Sequence, residues 1–315
     1  MKAVALFSGG LDSILAVKLI QEQEIEVEGI TFATPFFGPR DAKKMAEEME
    51  FSLTVRDITK EHLEIVKSPK HGYGKNMNPC LDCHILMAKK AGEFMKEAGA
   101  SFIISGEVLG ERPMSQNKIA LRVVDKESGY DGYILRPLSA KLLNPTVPEE
   151  KRWVDRKKLL SIQGRSRKLQ LELAKEYGLK DFPTPAGGCL LTDSSFSKRL
   201  KALFEINREP DANDLEVLKY GRHFPIDDAI IIVSRNQEEN ESLIGLVKES
   251  DMFFQVNGHP GPRTILRGNV SKEAIRKAAF LTVKYSKAKD LAEVEVWYWH
   301  PGKEKKLLVV ADEGS

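Results

Sequence analysis

Long hydrophobic runs and cysteines are both scarce in this sequence of 315 residues. No apolar stretch approaches the roughly 20 residues that a membrane-spanning helix needs, and the residues after Met1 do not have the pattern of a signal peptide. We therefore expect a cytoplasmic protein without membrane contact. Disulfide bonds are not expected to hold such a protein together, because thiols stay reduced in the cytoplasm.

An excess of one charge sign is also lacking. The 48 Lys and Arg residues nearly balance the 46 Asp and Glu residues, so the net charge is only +2. Nucleic-acid binding must then depend on local basic clusters. One such cluster predicts contact with a nucleic-acid backbone, and a solvated charged surface is the other interpretation. It consists of Lys151, Arg152, Arg156, Lys157, Lys158, Arg165, Arg167 and Lys168.

Strands alternate with helices in the first part of the chain. Apolar runs predict strands at 2–7, 26–33, 52–56 and 102–105, and helical patterns occur at 12–23, 40–50 and 81–98. This order predicts an α/β fold, a parallel sheet with helices on both faces. Ligands of such sheets bind at the carboxyl ends of the strands.

The second part of the chain has a different order of elements. Helical patterns at 148–161 and 166–177 lead into an irregular segment at 182–189, which is rich in Pro and Gly. Further helices and strands then alternate irregularly and end in two strands joined by a hairpin turn at 300–303. We expect a smaller α+β domain here, with domain boundaries at 1–198 and 199–315.

A glycine loop lies between the first strand and the first helix. It reads Ser8-Gly9-Gly10-Leu11-Asp12-Ser13. Glycines let backbone N–H groups approach an oxyanion, and the start of the next helix is electropositive, so the loop predicts a phosphate site. The lysine of a G-x-x-x-x-G-K-[ST] loop is missing, which excludes a Walker P-loop.

The chain has three cysteines, Cys80, Cys83 and Cys189. The first two form a C-x-x-C pattern at a helix start, which favours the thiolate that binds metal or attacks. We favour a [4Fe–4S] cluster held by all three, because thiolates ligate such clusters and three ligands leave one iron open. A zinc site with His84, a persulfide relay between Cys80 and Cys189, and three buried thiols without function remain alternatives.

Several of these segments resemble known families. The loop resembles the SGGxDS loop of the PP-loop ATP pyrophosphatases. Residues 106–116 and the L-R-P-L stretch at 135–138 resemble 4-thiouridine-forming tRNA sulfurtransferases, and Asn78-Pro79-Cys80 resembles tRNA 2-thiouridylases. The three cysteines resemble iron–sulfur-dependent thiolation enzymes. Further on, residues 240–243, Asp251, and residues 258–266 resemble the RNA-binding domain of the NFACT family.

The resemblance implies an ATP-dependent tRNA thiolation enzyme. ATP and Mg²⁺ would bind at Ser8, Gly9, Gly10, Asp12, Ser13, Phe32 and Gly106. A uridine carbonyl oxygen would be adenylated and then replaced by sulfur from the [4Fe–4S] cluster of Cys80, Cys83 and Cys189. Asp12, Cys80 and Cys189 would be catalytic, and the basic cluster would contact tRNA. Free sulfide or a cysteine desulfurase would donate the sulfur. The resemblance leaves open whether the protein forms a homodimer.

Three other interpretations remain from the sequence. The persulfide relay would perform the same reaction without a cluster. A PP-loop ligase that forms an amide would need none of the cysteines. A non-catalytic RNA-binding protein would keep the loop without releasing pyrophosphate.

Overall fold

The structure is a computed structural model that describes residues 1–183, 188–300 and 303–310. The chain forms two compact units, Met1–Thr192 and Asp193–Ser315. Within the described residues, no helix combines the length and the apolar character that crossing a membrane requires. Part of the irregular segment predicted at 182–189, residues 184–187, lies outside the described residues.

The N-terminal unit is built on a five-stranded parallel sheet with the order β3-β2-β1-β4-β5. The strands are β1 Lys2–Leu6, β2 Glu26–Ala33, β3 Leu53–Asp57, β4 Phe102–Ser105 and β5 Ile134–Leu135. The central strand β1 is apolar on both faces, as strands covered by helices on both sides must be. The predicted parallel sheet is confirmed.

Helices cover both faces of this sheet, as the sequence predicted. Ala3 and Ala5 of β1 pack in one cluster with residues of α1 and α2, whereas Val4 packs on the other face with residues of α4. The helices are α1 Leu11–Gln21, α2 Arg40–Glu48, α3 Thr59–Lys67, α4 Cys80–Glu97, α5 Lys118–Glu127, α6 Val147–Glu150 and α7 Lys168–Glu176. Of these, α3 and α5 were not predicted.

The helix predicted at 148–161 is wrong for most of its length. Only the four-residue α6 and a 3-10 turn, Arg156–Lys158, form there. Arg152 stops α6 because its φ of +56° is left-handed. The next predicted helix, at 166–177, corresponds to α7.

The C-terminal unit has a six-stranded antiparallel sheet with the order β11-β10-β8-β9-β7-β6. Its elements are α8 Ser194–Ile206, α9 Ala212–Val217, β6 Arg222–Ile226, β7 Ala229–Val233, α10 Gln237–Ile244, β8 Met252–Val256, β9 Thr264–Gly268, α11 Lys272–Lys284, β10 Glu293–His300 and β11 Lys303–Val310. Ala274 and Ala278 of α11 pack against Phe254 and Val296 of the sheet. This is the predicted α+β class. The turn residues 301–302 of the predicted hairpin lie outside the described residues.

Candidate nucleotide and thiol site

The loop after β1 turns sharply against α2. Gly9 has a φ of +77°, and a Cβ added there would lie 2.5 Å from the backbone of Asp41, so a larger residue does not fit. The N–H of Gly10 donates to the Ser8 hydroxyl at 3.3 Å, and the Ser13 hydroxyl donates to the Gly10 carbonyl at 2.8 Å. No side chain caps the start of α1. The first N–H groups of this helix therefore face a possible anionic ligand.

Two further strand ends meet this loop. A Cβ added to Gly106, just after β4, would lie 2.5 Å from the backbone nitrogen of Ser13. The loop and Gly106 are thus in direct backbone contact. Phe32, near the end of the neighbouring β2, is buried in the cluster that includes residues of α4. Its side chain belongs to the core, so only its backbone is available to a nucleotide.

Asp12 lies in a mixed electrostatic environment. Burial raises the pKa of its carboxyl group above the ordinary value, and the positive charges of Arg167 and Arg112 offset only part of this increase. Glu111 is close to Asp12: burial and the charge of Asp12 raise the pKa of Glu111 as well. The site therefore combines two carboxylates with two guanidinium groups.

The cysteines come from two segments. Cys80 begins α4, Cys83 lies one turn further, and Cys189 precedes the 3-10 turn Leu190–Thr192. Burial raises the pKa of Cys83, and the charges of Cys189 and Cys80 raise it further. Burial also raises the pKa of Cys189, with a contribution from Cys80. The structure thus brings the three predicted thiols within range of one another's charges.

The described residues were also compared with the ligand arrangement that a single metal ion needs. Over residues 1–183, 188–300 and 303–310, no three His, Cys, Asp or Glu side chains are arranged to hold one metal ion. Both the zinc site and the [4Fe–4S] cluster considered from the sequence therefore stay predictions.

Arg112 connects the thiols to the glycine loop. Its positive charge offsets part of the increase that burial causes in the pKa values of Asp12 and Cys189, and it contributes to the lowered pKa of Cys80. One guanidinium group is therefore close to both the loop and two of the three cysteines. The loop and the thiols share one edge of the sheet.

A chain of buried charged groups supports Cys80. His84, one helical turn after Cys80, forms a hydrogen bond through Nδ1 with Glu107 Oε1 at 2.7 Å. Arg136 Nε donates to the other Glu107 oxygen at 2.9 Å, and its terminal nitrogens donate to Asp125 at 3.0 and 2.8 Å. Only 3% of the Arg136 side chain is exposed, so its charge has lost most of its hydration. The two carboxylates offset the free-energy cost of that desolvation.

This chain sets the ionisation of Cys80. Burial opposes the charged forms, but hydrogen bonds to Cys80 and Glu107 raise the pKa of His84 to about 9. Burial also opposes ionisation of Glu107, yet the charge of Arg136 and the contact with His84 lower its pKa to about 2. The hydrogen bond from His84 outweighs burial at Cys80 and lowers the pKa of its thiol. At neutral pH the imidazolium form of His84 is favoured, and the lowered pKa of Cys80 increases the thiolate fraction of this thiol.

Comparisons with known protein families agree with this geometry. Residues 1–141 match the family model of ThiI, described as a thiamine biosynthesis protein, and residues 221–313 match the RNA-binding domain of NFACT proteins. The first match covers most of the N-terminal unit, and the second covers most of the C-terminal unit.

Individual relatives match the chain over part of their length. A tRNA-specific 2-thiouridylase MnmA of Petrotoga mobilis is 26% identical over 250 residues, which cover 70% of this chain and 64% of that protein. A probable tRNA sulfurtransferase of Thermococcus kodakarensis is 29% identical over 44% of this chain and 36% of its own length. A solved 4-thiouridine synthetase–RNA complex with bound ATP is 21% identical, covering 69% of this chain and 52% of that chain, with a TM-score of 0.41. Because that score is below 0.5, we infer nothing from the superposition.

The basic cluster of the N-terminal unit is not one uniform surface. Lys151, Arg152, Lys157, Lys158, Arg165 and Lys168 are exposed. Arg156 is instead bound within the fold: it pairs with Glu149 and donates to the carbonyls of Ala140 and Leu143 at 2.8 and 2.9 Å. The charge of Arg167 acts on Asp12 of the loop. Arg156 and Arg167 thus also interact within the N-terminal unit, and the tRNA contact of the cluster stays a prediction.

The sequence did not predict the buried chain of charged groups that four residues of the N-terminal unit form. His84 entered only as an alternative zinc ligand, and Glu107, Arg136 and Asp125 were given no function. A signal for two of them was present, because Glu107 and Arg136 lie inside the segments that resemble the sulfurtransferases. The contact between them joins residues 29 positions apart, which spacing along one element cannot show.

Proposed function

We propose that this protein thiolates a base of tRNA in an ATP-dependent reaction. The observation that carries the proposal is the position of Arg112, whose charge acts on Asp12 of the glycine loop and on the thiols of Cys80 and Cys189. Activation of an oxygen and its replacement by sulfur require a nucleotide site and a sulfur site side by side. The names of the relatives support the same activity.

The first half of the reaction belongs to the glycine loop. The open N–H groups of α1 and the loop bind the phosphates of ATP. The base is turned out of its stack, because its carbonyl is not accessible within a helix. The carbonyl oxygen then attacks the α-phosphorus, and the bond to pyrophosphate breaks as the new P–O bond forms. The oxygen is now bound to AMP, which is a good leaving group.

The second half replaces the activated oxygen. Hydrosulfide adds at the carbon that carries the AMP-bound oxygen, AMP leaves with that oxygen, and one proton is released. Thiolate ligands and mutual charge repulsion among Cys80, Cys83 and Cys189 fit a cationic iron–sulfur centre. When bound by three thiolates, a [4Fe–4S] cluster supplies an open iron site for sulfide.

A persulfide on Cys80 is a second route to the same product, favoured by the hydrogen bond from His84 to this thiol. Its outer sulfur would attack the activated carbon as AMP leaves. The Cys189 thiolate would then attack the Cys80 sulfur, releasing the thiolated base and forming a Cys80–Cys189 disulfide. An external dithiol must reduce that disulfide before the next cycle.

The C-terminal unit has the tRNA-binding function in this proposal. It matches an RNA-binding domain. The exposed part of the basic cluster, which includes Lys157 and Arg165, adds backbone contacts from the N-terminal unit. Binding that depends on phosphate contacts weakens steeply with salt.

The test combines ATP, Mg²⁺, sulfide and tRNA under anaerobic conditions, with release of pyrophosphate and thiolated nucleosides as readouts. We expect both products from the wild type, neither from Asp12→Asn, and both from the control Asp41→Asn, whose carboxylate is half exposed beside the loop. We expect Cys80→Ser to release pyrophosphate without forming a thionucleoside.

Two outcomes would overturn the proposal. Pyrophosphate release without any thionucleoside, unchanged in a variant that has no cysteine, would indicate an amide-forming ligase. Absence of tRNA-dependent pyrophosphate release in the wild type would indicate an RNA-binding protein without activity. Iron content then separates the two sulfur routes, because the persulfide relay needs none.

A further inference from the structure

Helix α5 carries a row of positive charges on one exposed face. Lys118, Arg122 and Lys126 follow one another at intervals of four residues, and all three are exposed. Residues four apart are neighbours on the surface of a helix, about 6 Å apart along its axis. Ile119, which is 78% exposed, and the half-buried Val123 lie beside the row, around a shallow depression of about 390 Å³. We call these five residues the α5 surface.

The cations of the α5 surface are not paired within the fold. Both acids of α5 bind other residues: Asp125 Oδ1 lies 2.8 Å from Arg136 Nη2, and Glu127 Oε2 lies 2.8 Å from Lys70 Nζ. Among the residues that the structure describes, no carboxylate lies within 4.0 Å of the three charged groups. Their positive charge is therefore available to a partner.

This arrangement of charges is unfavourable for the helix on its own. Like charges four residues apart repel each other, and the row contains two such pairs. Lys118 also lies in the first turn, where the helix dipole opposes a cation, and that turn contains no acid. A bound anion would offset all three repulsions. The α5 surface is therefore suited to an anionic partner.

The row of cations begins near the thiols. A Cβ added to Gly74 would lie 4.0 Å from both Cys80 Cβ and Met114 Cε, so Met114 lies close to Cys80. Met114 is 61% exposed and stands four residues before Lys118. The helix then runs beside α4, since Val124 packs in one cluster with residues of α4. The row thus leads away from the candidate site along one side of the N-terminal unit.

Contacts at both ends of α5 hold the helix in place. Asn117 Oδ1 accepts from the N–H of Ala120 at 2.9 Å, and Asn117 Nδ2 donates to the Pro113 carbonyl at 2.8 Å. Near the other end, Asp125 accepts two hydrogen bonds from the buried Arg136. Because the helix is already fixed, its cations are presented to a partner without the cost of ordering the backbone.

We infer that the α5 surface binds the sugar–phosphate backbone of the tRNA segment that carries the target base. An evenly spaced row of cations matches a polyanion whose charges repeat at regular intervals, and Ile119 and Val123 can contact the sugars between the phosphates. Such contacts fix the position of a nucleic acid without reading its sequence. This inference rests on the proposed function, which brings tRNA to the adjacent site. It adds a surface to the basic cluster at 151–168.

Titration of labelled tRNA, followed by fluorescence anisotropy at several salt concentrations, tests this inference without ATP or sulfide. The triple variant Lys118→Gln, Arg122→Gln and Lys126→Gln is expected to bind at least about ten-fold more weakly at low salt. The slope of log affinity against log salt should also become shallower by about 2–3, because each phosphate contact contributes about 0.7–0.9.

Single variants provide a matched comparison. Arg122→Gln should lose part of the tRNA affinity. The control Lys44→Gln removes the same charge from α2, which packs on the opposite face of the sheet, and 62% of the Lys44 side chain is exposed. This control should bind tRNA like the wild type. Equal affinity of Arg122→Gln and Lys44→Gln, or an unchanged salt dependence of the triple variant, would overturn the inference.

The melting temperature separates binding from a structural function. Arg122→Gln removes both repulsive pairs of the row, so its melting temperature should be no lower than that of the wild type. A fall in melting temperature that parallels the loss of tRNA affinity would make the α5 surface structural and would overturn the inference.

Thionucleoside formation separates this inference from the proposed function. If the triple variant loses tRNA affinity but the wild type never forms a thionucleoside, thiolation is refuted and the α5 surface stands. If the wild type thiolates tRNA and the triple variant binds tRNA equally well, only the inference is overturned. Absence of tRNA binding by the wild type would overturn both.

Discussion

Glu107→Gln is the substitution that most directly tests the buried chain of charges. It removes the negative charge that Arg136 and His84 share, at 2.9 and 2.7 Å, while keeping the size of the side chain. Arg136 retains two hydrogen bonds to Asp125. Breaking a buried ion pair costs about 3–5 kcal/mol of unfolding free energy, and the remaining pair puts the expected loss at the lower end, about 3 kcal/mol.

The pH dependence of this loss follows from two ionisations. The lowered pKa of Glu107, about 2, means that its contribution is complete above pH 4.5 and disappears as the pH falls toward 2. The raised pKa of His84, about 9, means that its contribution is complete below pH 6.5 and disappears as the pH rises through 9. The difference between wild type and variant should therefore be largest between pH 4.5 and 6.5.

The same substitution should reduce the reactivity of Cys80. Without the Glu107 charge, the pKa of His84 falls, so less of the imidazole is cationic at a given pH and the Cys80 thiolate loses part of its electrostatic support. As long as the pH is below the pKa of Cys80, each unit by which that pKa rises lowers the thiolate fraction about ten-fold. Alkylation by iodoacetamide measures this specifically in a Cys83→Ser, Cys189→Ser background, where Cys80 is the remaining thiol.

Denaturant unfolding across pH measures the stability change, with Glu127→Gln as the matched control. Glu127 also contacts a histidine and a lysine, His71 and Lys70, but its side chain is 32% exposed. An exposed pair contributes only about 0–1 kcal/mol. If Glu107→Gln costs no more than Glu127→Gln, or if its cost does not vary with pH, the reasoning about the buried chain is refuted.

Three more substitutions or truncations test other parts of the site. Gly9→Ala should abolish ATP binding in equilibrium dialysis, because the added Cβ would lie 2.5 Å from the backbone of Asp41. The control Gly38→Ala has open space around the added Cβ and should bind ATP normally. Equal ATP binding by the two variants would contradict the loop assignment. Cys189→Ser should lower the iron content of anaerobically reconstituted protein to background, and unchanged iron would remove this thiol from the cluster. Deleting the C-terminal unit, Asp193–Ser315, should weaken tRNA binding at least about ten-fold, and equal affinity would leave that unit a structural one.

The sheet and the loop were predictable because their signals are local. An apolar run, two glycines and a helical pattern follow one another in β1, the loop and α1, and each depends on neighbours in sequence. The helix predicted at 148–161 failed because the backbone of Arg152 is left-handed, which a helical residue pattern does not reveal. Contacts between distant segments then hold the chain that follows, since Arg156 donates to the backbone carbonyls of Ala140 and Leu143.

The candidate site was predictable only in part. The C-x-x-C pattern and the third cysteine identified Cys80, Cys83 and Cys189 as one candidate group, with several possible functions. The electrostatic setting was not predictable, because Glu107 contacts His84, which is 23 positions away in sequence, and Arg136, which is 29 positions away. The influence of Arg167 on Asp12 was not predictable either, because sequence shows that a side chain is charged but not which groups lie near it.

The buried chain of charges also has a consequence for local opening. His84 lies on α4, Glu107 follows β4, Arg136 follows β5 and Asp125 lies on α5, so one network fastens four segments. The start of α4 cannot unwind past His84 without breaking these contacts. The hydrogen-bonded amides there, from Cys83 onward, should thus exchange with deuterium as slowly as those of β4, although helix ends usually exchange fast. The sulfur atom of Cys80 would then lie at a helix start that opens less often than helix ends usually do.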